Sequence, residues 1–176
     1  NTVGSSLVEN MVKETTFGDK LSFTLPDGTI VKLNSGSKIE YPNKFSDTLR
    51  EVFLYGEAFF EVEENPNKPF IINTSSIKTE VLGTSFNVKA YENESNASVT
   101  LVSGKVKVKV KMLNKDLVLW PSFQVTFNND TKTYSHEKVD LNKVLSWKNN
   151  TLIFDNEPLS SIIPQLERWY DVDIRL

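Results

Sequence analysis

The chain has 176 residues, of which 39% are hydrophobic and 24% charged, enough for one ordinary domain with a sizeable buried core. Twenty Lys and Arg against 23 Asp and Glu leave a formal charge of −3, which argues against a protein built to coat nucleic acid or anionic lipid. With no cysteine, disulfide scaffolds, Cys-zinc centres, iron–sulfur clusters and thiol catalysis are excluded, and the one histidine, His136, leaves little for a His-rich metal site or a general base.

Residues 1–15 (NTVGSSLVENMVKET) read as a leader or linker, with Leu7, Val8, Met11 and Val12 suggesting a short amphipathic turn. No run approaches the roughly 20 apolar residues that cross a bilayer, and no signal peptide is visible. The start at Asn1 rather than Met leads us to expect an excised or processed piece.

From Thr16 the texture changes to short alternating segments, each closed by a turn signal. Phe23 and Leu25 alternate with polar neighbours, Pro26-Asp27-Gly28 turns the chain, and Ile30 to Leu33 resume, a strong hairpin signal. Val52 to Leu54 close at Gly56, and Ala58 to Val62 close at Asn65-Pro66-Asn67. Phe70 to Ile72 follow Pro69, Ile77 to Leu82 end at Gly83, Phe86 to Tyr91 end at Glu92-Asn93, and Val99 to Val102 end at Gly104. Then Lys105, Lys107, Lys109 and Lys111 alternate strictly with Val106, Val108 and Val110, so the lysines take one face of a strand and the valines the other. Leu117 to Trp120 and Gln124 to Phe127 extend the pattern. Many short β-branched and aromatic strands indicate a mainly β body over residues 16–141, either a solenoid-like stack or a sandwich.

Near residue 141 the period changes. Leu159, Ile162, Ile163, Leu166 and Tyr170 form one helical stripe, with a strand expected before it (Thr151 to Phe154) and another after it (Val172 to Leu176). Residues 142–176 thus read as a partial β-α-β unit. Pro164 inside a helix would cost about 3 kcal/mol, so we expect the regular helix to begin near Ser161 and Pro164 to sit in its first turn.

Several residues carry chemistry on paper. The lysine ladder could contact phosphates, but four charges on one strand of an acidic protein fit a solvated face or a guarded edge better. Glu57, Glu61, Glu63 and Glu64 could supply the paired carboxylates of a hydrolase, which would require two acids converging across a cleft. Ser135-His136 could pair as nucleophile and base, yet no Gly-rich elbow accompanies them. Trp120, Trp147 and Tyr134 could stack on sugars, as in an all-β carbohydrate-binding module. Sequons at Asn73, Asn93, Asn96, Asn129 and Asn149 would matter only in a eukaryotic secretory setting. No phosphate-cradling glycine loop or metal-ligand spacing stands out, so no cofactor is expected and binding or signalling is the default.

Five ordered stretches carry a resemblance. They are LPDGTIVKLNSGSKIEYP (25–42), REVFLYGEAFFEVEENPNKPFII (50–72), VLGTSFNVKAY (81–91), VTLVSGKVKV (99–108) and LIFDNEPLSSIIPQLERWYDVDI (152–174). In this order and spacing they resemble the periplasmic part of FecR-like anti-sigma factors of the Bacteroides type, from about Thr16 onward. The resemblance implies a periplasmic, non-enzymatic sensor tethered to the inner membrane by an upstream helix absent from this chain. It implies two partners: the signalling domain of a TonB-dependent outer-membrane transporter, and an extracytoplasmic-function sigma factor held by a cytoplasmic segment also absent here. The last unit resembles the start of a secretin and TonB short N-terminal domain. Trp169, Tyr170, Val172 and Ile174 are then the expected contact residues, on a helix end and an edge strand, while Gly28, Gly56, Gly83 and Gly104 are read as structural turns.

Overall fold

The computed structural model describes residues 8–175. Leu7 and Leu176 therefore lie outside the described residues. A twelve-residue strand, β5 (Arg50–Glu61), is the spine on which the others are laid. Its first half pairs with β4 (Lys38–Pro42) on one side and, in parallel, with β6 (Phe70–Asn73) on the other. Its second half pairs antiparallel with β3 (Ile30–Leu33) and β8 (Ser85–Ala90). The first sheet is completed by β1 (Asn10–Glu14) beside β4, then by β7 (Ile77–Val81), β10 (Val106–Val110) and β11 (Lys115–Leu119) beyond β6. The second is completed by β2 (Leu21–Thr24) beside β3, and by β9 (Asn96–Ser103), β12 (Phe123–Asn128) and β13 (Thr133–Lys138) beyond β8. Among the described residues the result is one mainly β, strongly curled thirteen-stranded sheet with a small helical part at its C-terminal end.

Gly56 explains how one strand serves two sheets. The sequence suggests two strands separated by a turn there, whereas β5 runs straight through. Gly56 has φ +97°, and a Cβ on it would lie 2.3 Å from Ser37 Oγ. It is a kink within a strand, where only glycine fits both the dihedral and the close approach of the β3–β4 turn. Gly28, Gly83 and Gly104 do lie between strands, and a Cβ on Gly83 would press within 2.8 Å of the Glu64 backbone.

The two halves of the curl face each other across one apolar core. Val52, Leu54 and Phe70 from the first sheet meet Ala58, Phe60, Phe86 and Val88 from the second. Phe60 stacks on Phe86 at 5.4 Å and reaches Phe70 at 6.2 Å, joining the sheets directly. Val106, Val108 and Val110 are buried in this core as the strict alternation predicts.

Two edge strands carry no such signal. Asn10–Glu14 is the strand β1, not a linker or an amphipathic turn, and all five residues are exposed. Thr133–Lys138, likewise exposed throughout, forms β13. An edge strand pairs on one side and need bury neither face, so its sequence shows no period of two.

The C-terminal part contains a short helix α1 (Leu141–Val144), a single 3-10 turn (Ser146–Asn149) and the helix α2 (Leu159–Tyr170). None of the described helices is long and apolar enough to cross a membrane. The two strands expected to flank α2 are corrected: residues 151–154 and 172–175 join no ladder among the described residues. The start of α2 is corrected as well. Pro158 caps it with φ −65°, Leu159 is its first residue, and Pro164 falls in the second turn. Pro164 has no N–H to donate to the Ser160 carbonyl, so one helical hydrogen bond is missing there, beside an exposed residue.

Arg50 fixes the loops at one end of the curl. Its side chain is 1% exposed, yet its nitrogens are well supplied with acceptors. Nε donates to Lys68 O (2.8 Å), Nη1 to the Asp27 carboxylate (2.9 Å) and Glu63 O (2.6 Å), and Nη2 to Leu82 O (3.4 Å). One guanidinium therefore ties the β2–β3 turn, both ends of the β5–β6 crossover and the residue after β7. Removing it strands Asp27 and three carbonyls, so Arg50→Ala should lower the unfolding free energy by about 3–5 kcal/mol. Arg50→Lys should recover little of this, because an ammonium cannot span that fork. Urea denaturation measures both; a loss for Arg50→Ala within about 0.5 kcal/mol, as for an ordinary surface substitution, would contradict this role.

Candidate partner-binding surface

The outer face of the second sheet is polar, and the C-terminal part covers it. Register brings Lys32, Phe59, Asn87, Thr100 and Gln124 into one row, with Glu57, Lys89, Ser98 and Thr126 in the next. Glu57 is buried on this face. Asn34 Nδ2 donates to its Oε2 at 2.9 Å, Asn87 Nδ2 to its Oε1 at 2.8 Å, and Ser37 Oγ accepts from its backbone N–H at 2.9 Å. Asn87 Oδ1 then accepts from Trp147 Nε1 at 3.3 Å. Trp147 is 4% exposed, so the 3-10 turn is docked on the sheet through this chain of amides. Lys148 lies 3.2 Å over the Phe59 ring, and burial holds its amine below the usual lysine range.

Between sheet and covering segment lies a cleft of about 750 Å³, bounded by Asn34, Asn87 and Glu94 below and by Trp147, Gln165 and Arg168 above. Its polar groups are largely bonded to one another. Glu57 is engaged by two amides and Glu94 by two cations, and the cleft reads as a braced junction.

Arg168 anchors α2 and is its one buried residue. Its guanidinium lies 3.7 Å over the Tyr91 ring and pairs through Nη2 with Glu94, which Lys89 also holds at 2.9 Å. The rest of α2 is open. Leu159 is exposed, and Ile162, Ile163 and Leu166 are only half-buried. The predicted contact residues separate accordingly. Trp169 is half-buried beneath Lys20, whose amine sits 3.4 Å over the ring. Tyr170 is 63% exposed and Val172 is exposed. Ile174 is half-buried, its N–H donating to Glu167 Oε1 at 3.0 Å. Asp171, with φ 54°, ends the helix, and the expected edge strand is absent because the following residues fold back onto Glu167.

The remaining candidates are not assembled into a site. Glu61, Glu63 and Glu64 are exposed, apart from the buried Glu57. Ser135 and His136 are consecutive on a strand and so point to opposite faces; His136 packs edge-on to Phe123, and Ser135 Oγ donates to Glu137 at 3.4 Å. Lys105, Lys107 and Lys111 are exposed, Lys109 half-buried, and Lys107 faces Asp116 at 3.5 Å. Because β11 lies outside them, these lysines line a sheet face and do not guard its edge. Trp120 and Tyr134 are exposed, but burial of Trp147 means that the three rings form no common sugar platform.

A family model described as FecR protein matches residues 12–107, and one described as FecR, C-terminal matches residues 151–176. The chain belongs to the FecR family. Two crystal structures of a candidate anti-sigma factor from Parabacteroides distasonis ATCC 8503, at 2.50 and 1.65 Å resolution, resemble this FecR-family chain over most of its length. The first is 37% identical with a TM-score of 0.89, covering 93% of this chain and 76% of its own; the second is 38% identical with a TM-score of 0.88, covering 92% and 75%. No curated protein matches the sequence.

Several residues of this junction carry no functional signal in the sequence: Glu57 as a structural acceptor, Asn87, Tyr91, Glu94 and Arg168. Only the polar interruptions at 57 and 87 within otherwise apolar strands hinted at a second covered face. Tyr91 offers a test of that burial. Its hydroxyl donates to Ser35 O at 2.8 Å, and burial, reinforced by the charge of Glu57, raises its pKa well above the tyrosine range. The folded protein thus holds this proton more tightly than the unfolded chain. The associated stability is complete below the unfolded value near ~10 and is lost as pH rises through the folded one. Tyr91→Phe should cost about 1 kcal/mol at neutral pH, the usual worth of one hydrogen bond, and should give a shallower decline in stability above about pH 9. Urea titrations across pH 7–11 check this; parallel curves for the two proteins would refute it.

Proposed function

We propose that this chain is the periplasmic sensor portion of an anti-sigma factor. It binds the signalling domain of a TonB-dependent outer-membrane transporter and passes the signal, through an upstream membrane helix, to an extracytoplasmic-function sigma factor in the cytoplasm. Membership of the FecR family and the likeness to the Parabacteroides protein support the regulatory role. The observation that carries the choice of surface is α2: an amphipathic helix that buries a single arginine while Leu159 and Tyr170 remain exposed, with Val172 exposed just beyond its end. An apolar face left open beside a braced sheet suits helix or strand pairing with another protein. No reaction is required of the chain, since binding alone transmits the signal. Trp169, held under Lys20, contributes less to the contact than Tyr170, Val172 and Leu159.

Calorimetric titration of the chain with the transporter's signalling domain tests the reading. Wild type should bind, and Leu159→Asp with Tyr170→Ala should weaken binding by about thirtyfold or more, a loss of the size expected from interface anchors. Both positions are exposed, so circular dichroism should show an unchanged fold. Unaltered affinity of that variant would move the contact elsewhere, and no binding by wild type would overturn direct recognition.

A further inference from the structure

The C-terminal helix is joined to the N-terminal strand by a continuous set of contacts. The carbonyl of Arg168 accepts from Gly18 N–H at 2.7 Å, and Lys20, over Trp169, also donates to Asn150 Oδ1 at 3.1 Å. Both belong to the loop 15–20 between β1 and β2. That loop rides on the β3–β4 turn. Thr15 N–H donates to Ser37 O at 2.9 Å, Thr15 Oγ1 to Asn34 O at 2.6 Å, Gly36 N–H to Thr16 O at 3.1 Å and Ser35 Oγ to Asp19 O at 2.7 Å. Gly36 leaves room for two side chains at once: a Cβ there would lie 2.6 Å from the Phe17 ring and 3.4 Å from Arg168 Cδ. The same turn receives the Tyr91 hydroxyl, and Tyr91 carries the Arg168 guanidinium on its ring.

We propose that Arg168 is a latch that makes docking of α2 and ordering of the 15–20 loop and β1 a single coupled event. Two comparisons within the molecule support this. Arg50, the other buried arginine, has Nε and both terminal nitrogens bonded, whereas Arg168 Nη1 has no partner among the described residues. An incompletely satisfied guanidinium gives up less on leaving than a saturated one, so the contact is suited to release. β1 is the strand with most to lose. It is exposed along its length and, among the described residues, pairs with β4 alone, so the loop that follows it adds to its anchorage. A partner that draws α2 away from Tyr91 and Glu94 also withdraws the acceptor of Gly18 and the ring under Lys20, and loosens the chain on the side of the N-terminus. This deepens the reading above, which supplies only the trigger, by giving the route from the C-terminal face to the N-terminal strand.

Hydrogen exchange on the whole chain, with no partner added, tests the coupling separately from the identity of any partner. In Arg168→Ala, amides of α2 and of residues 10–20 should exchange faster together, by roughly ten- to a hundredfold, the equivalent of one charged hydrogen bond. The central strands β5 and β8 should keep their wild-type rates. Glu94→Gln, which keeps an acceptor and removes the charge, should act in the same direction with a smaller effect, and provides the reading if Arg168→Ala does not fold. Linkage is reciprocal, so Thr15→Val, which weakens only the loop side, should speed exchange in α2. Faster exchange of α2 with residues 10–20 unchanged, or no response of α2 to Thr15→Val, would overturn the proposal.

Discussion

Glu57 places a carboxylate on the outer face of a sheet and keeps it out of water, and the arrangement of the C-terminal part follows from satisfying it. Each oxygen takes an amide donor, Asn34 on one side and Asn87 on the other. Asn87 then has its own carbonyl to satisfy, and Trp147 provides the donor. A polar face that would ordinarily be solvated thereby acquires a cover, since uncompensated burial of these groups would cost several kcal/mol. With the cover in place, Phe59 and Trp147 are dry, Lys148 lies over the Phe59 ring, and α2 is carried alongside with Leu159 and Tyr170 exposed at its two ends.

Stability is distributed unevenly across this design. The curled sheet buries Phe60, Phe70, Phe86 and three valines of β10 in one core, and Arg50 closes its loops. The helix has no buried apolar residue and depends on one guanidinium and a few bonds to neighbouring loops. Regions that hold on by few contacts open more readily than the core, and recognition elements are drawn from them. On the proposed function, the body is the platform and α2 the element it presents.

The sequence was most legible where burial is one-sided. Lys105 to Lys111 announce β10 because every second residue is in the core, and Pro26-Asp27-Gly28 announces the first hairpin because the turn demands those residues. β1 and β13 were illegible because an exposed edge imposes no alternation on NMVKE or TYSHEK. Gly56 looked like a turn, since glycine marks both reversals and kinks, and the approach of Ser37 that distinguishes them comes from a residue nineteen positions earlier in the chain. Pro164 drew attention away from Pro158, the true helix cap. Exposure was legible only in part: Tyr170 and Val172 lie open as a chain end suggests, but nothing in sequence reveals that Lys20 covers Trp169. Arg168 carries no signal for the same reason, its partners Tyr91 and Glu94 lying far away along the chain.

In the proposed function a partner reads the C-terminal helix while the sheet supports it. Mapping amide chemical-shift changes in the isotope-labelled chain, as the transporter's signalling domain is titrated in, tests this most directly. The largest changes are predicted in residues 151–175, with a second, smaller set in residues 15–20. Changes concentrated on β10 and β11, with α2 silent, would contradict it.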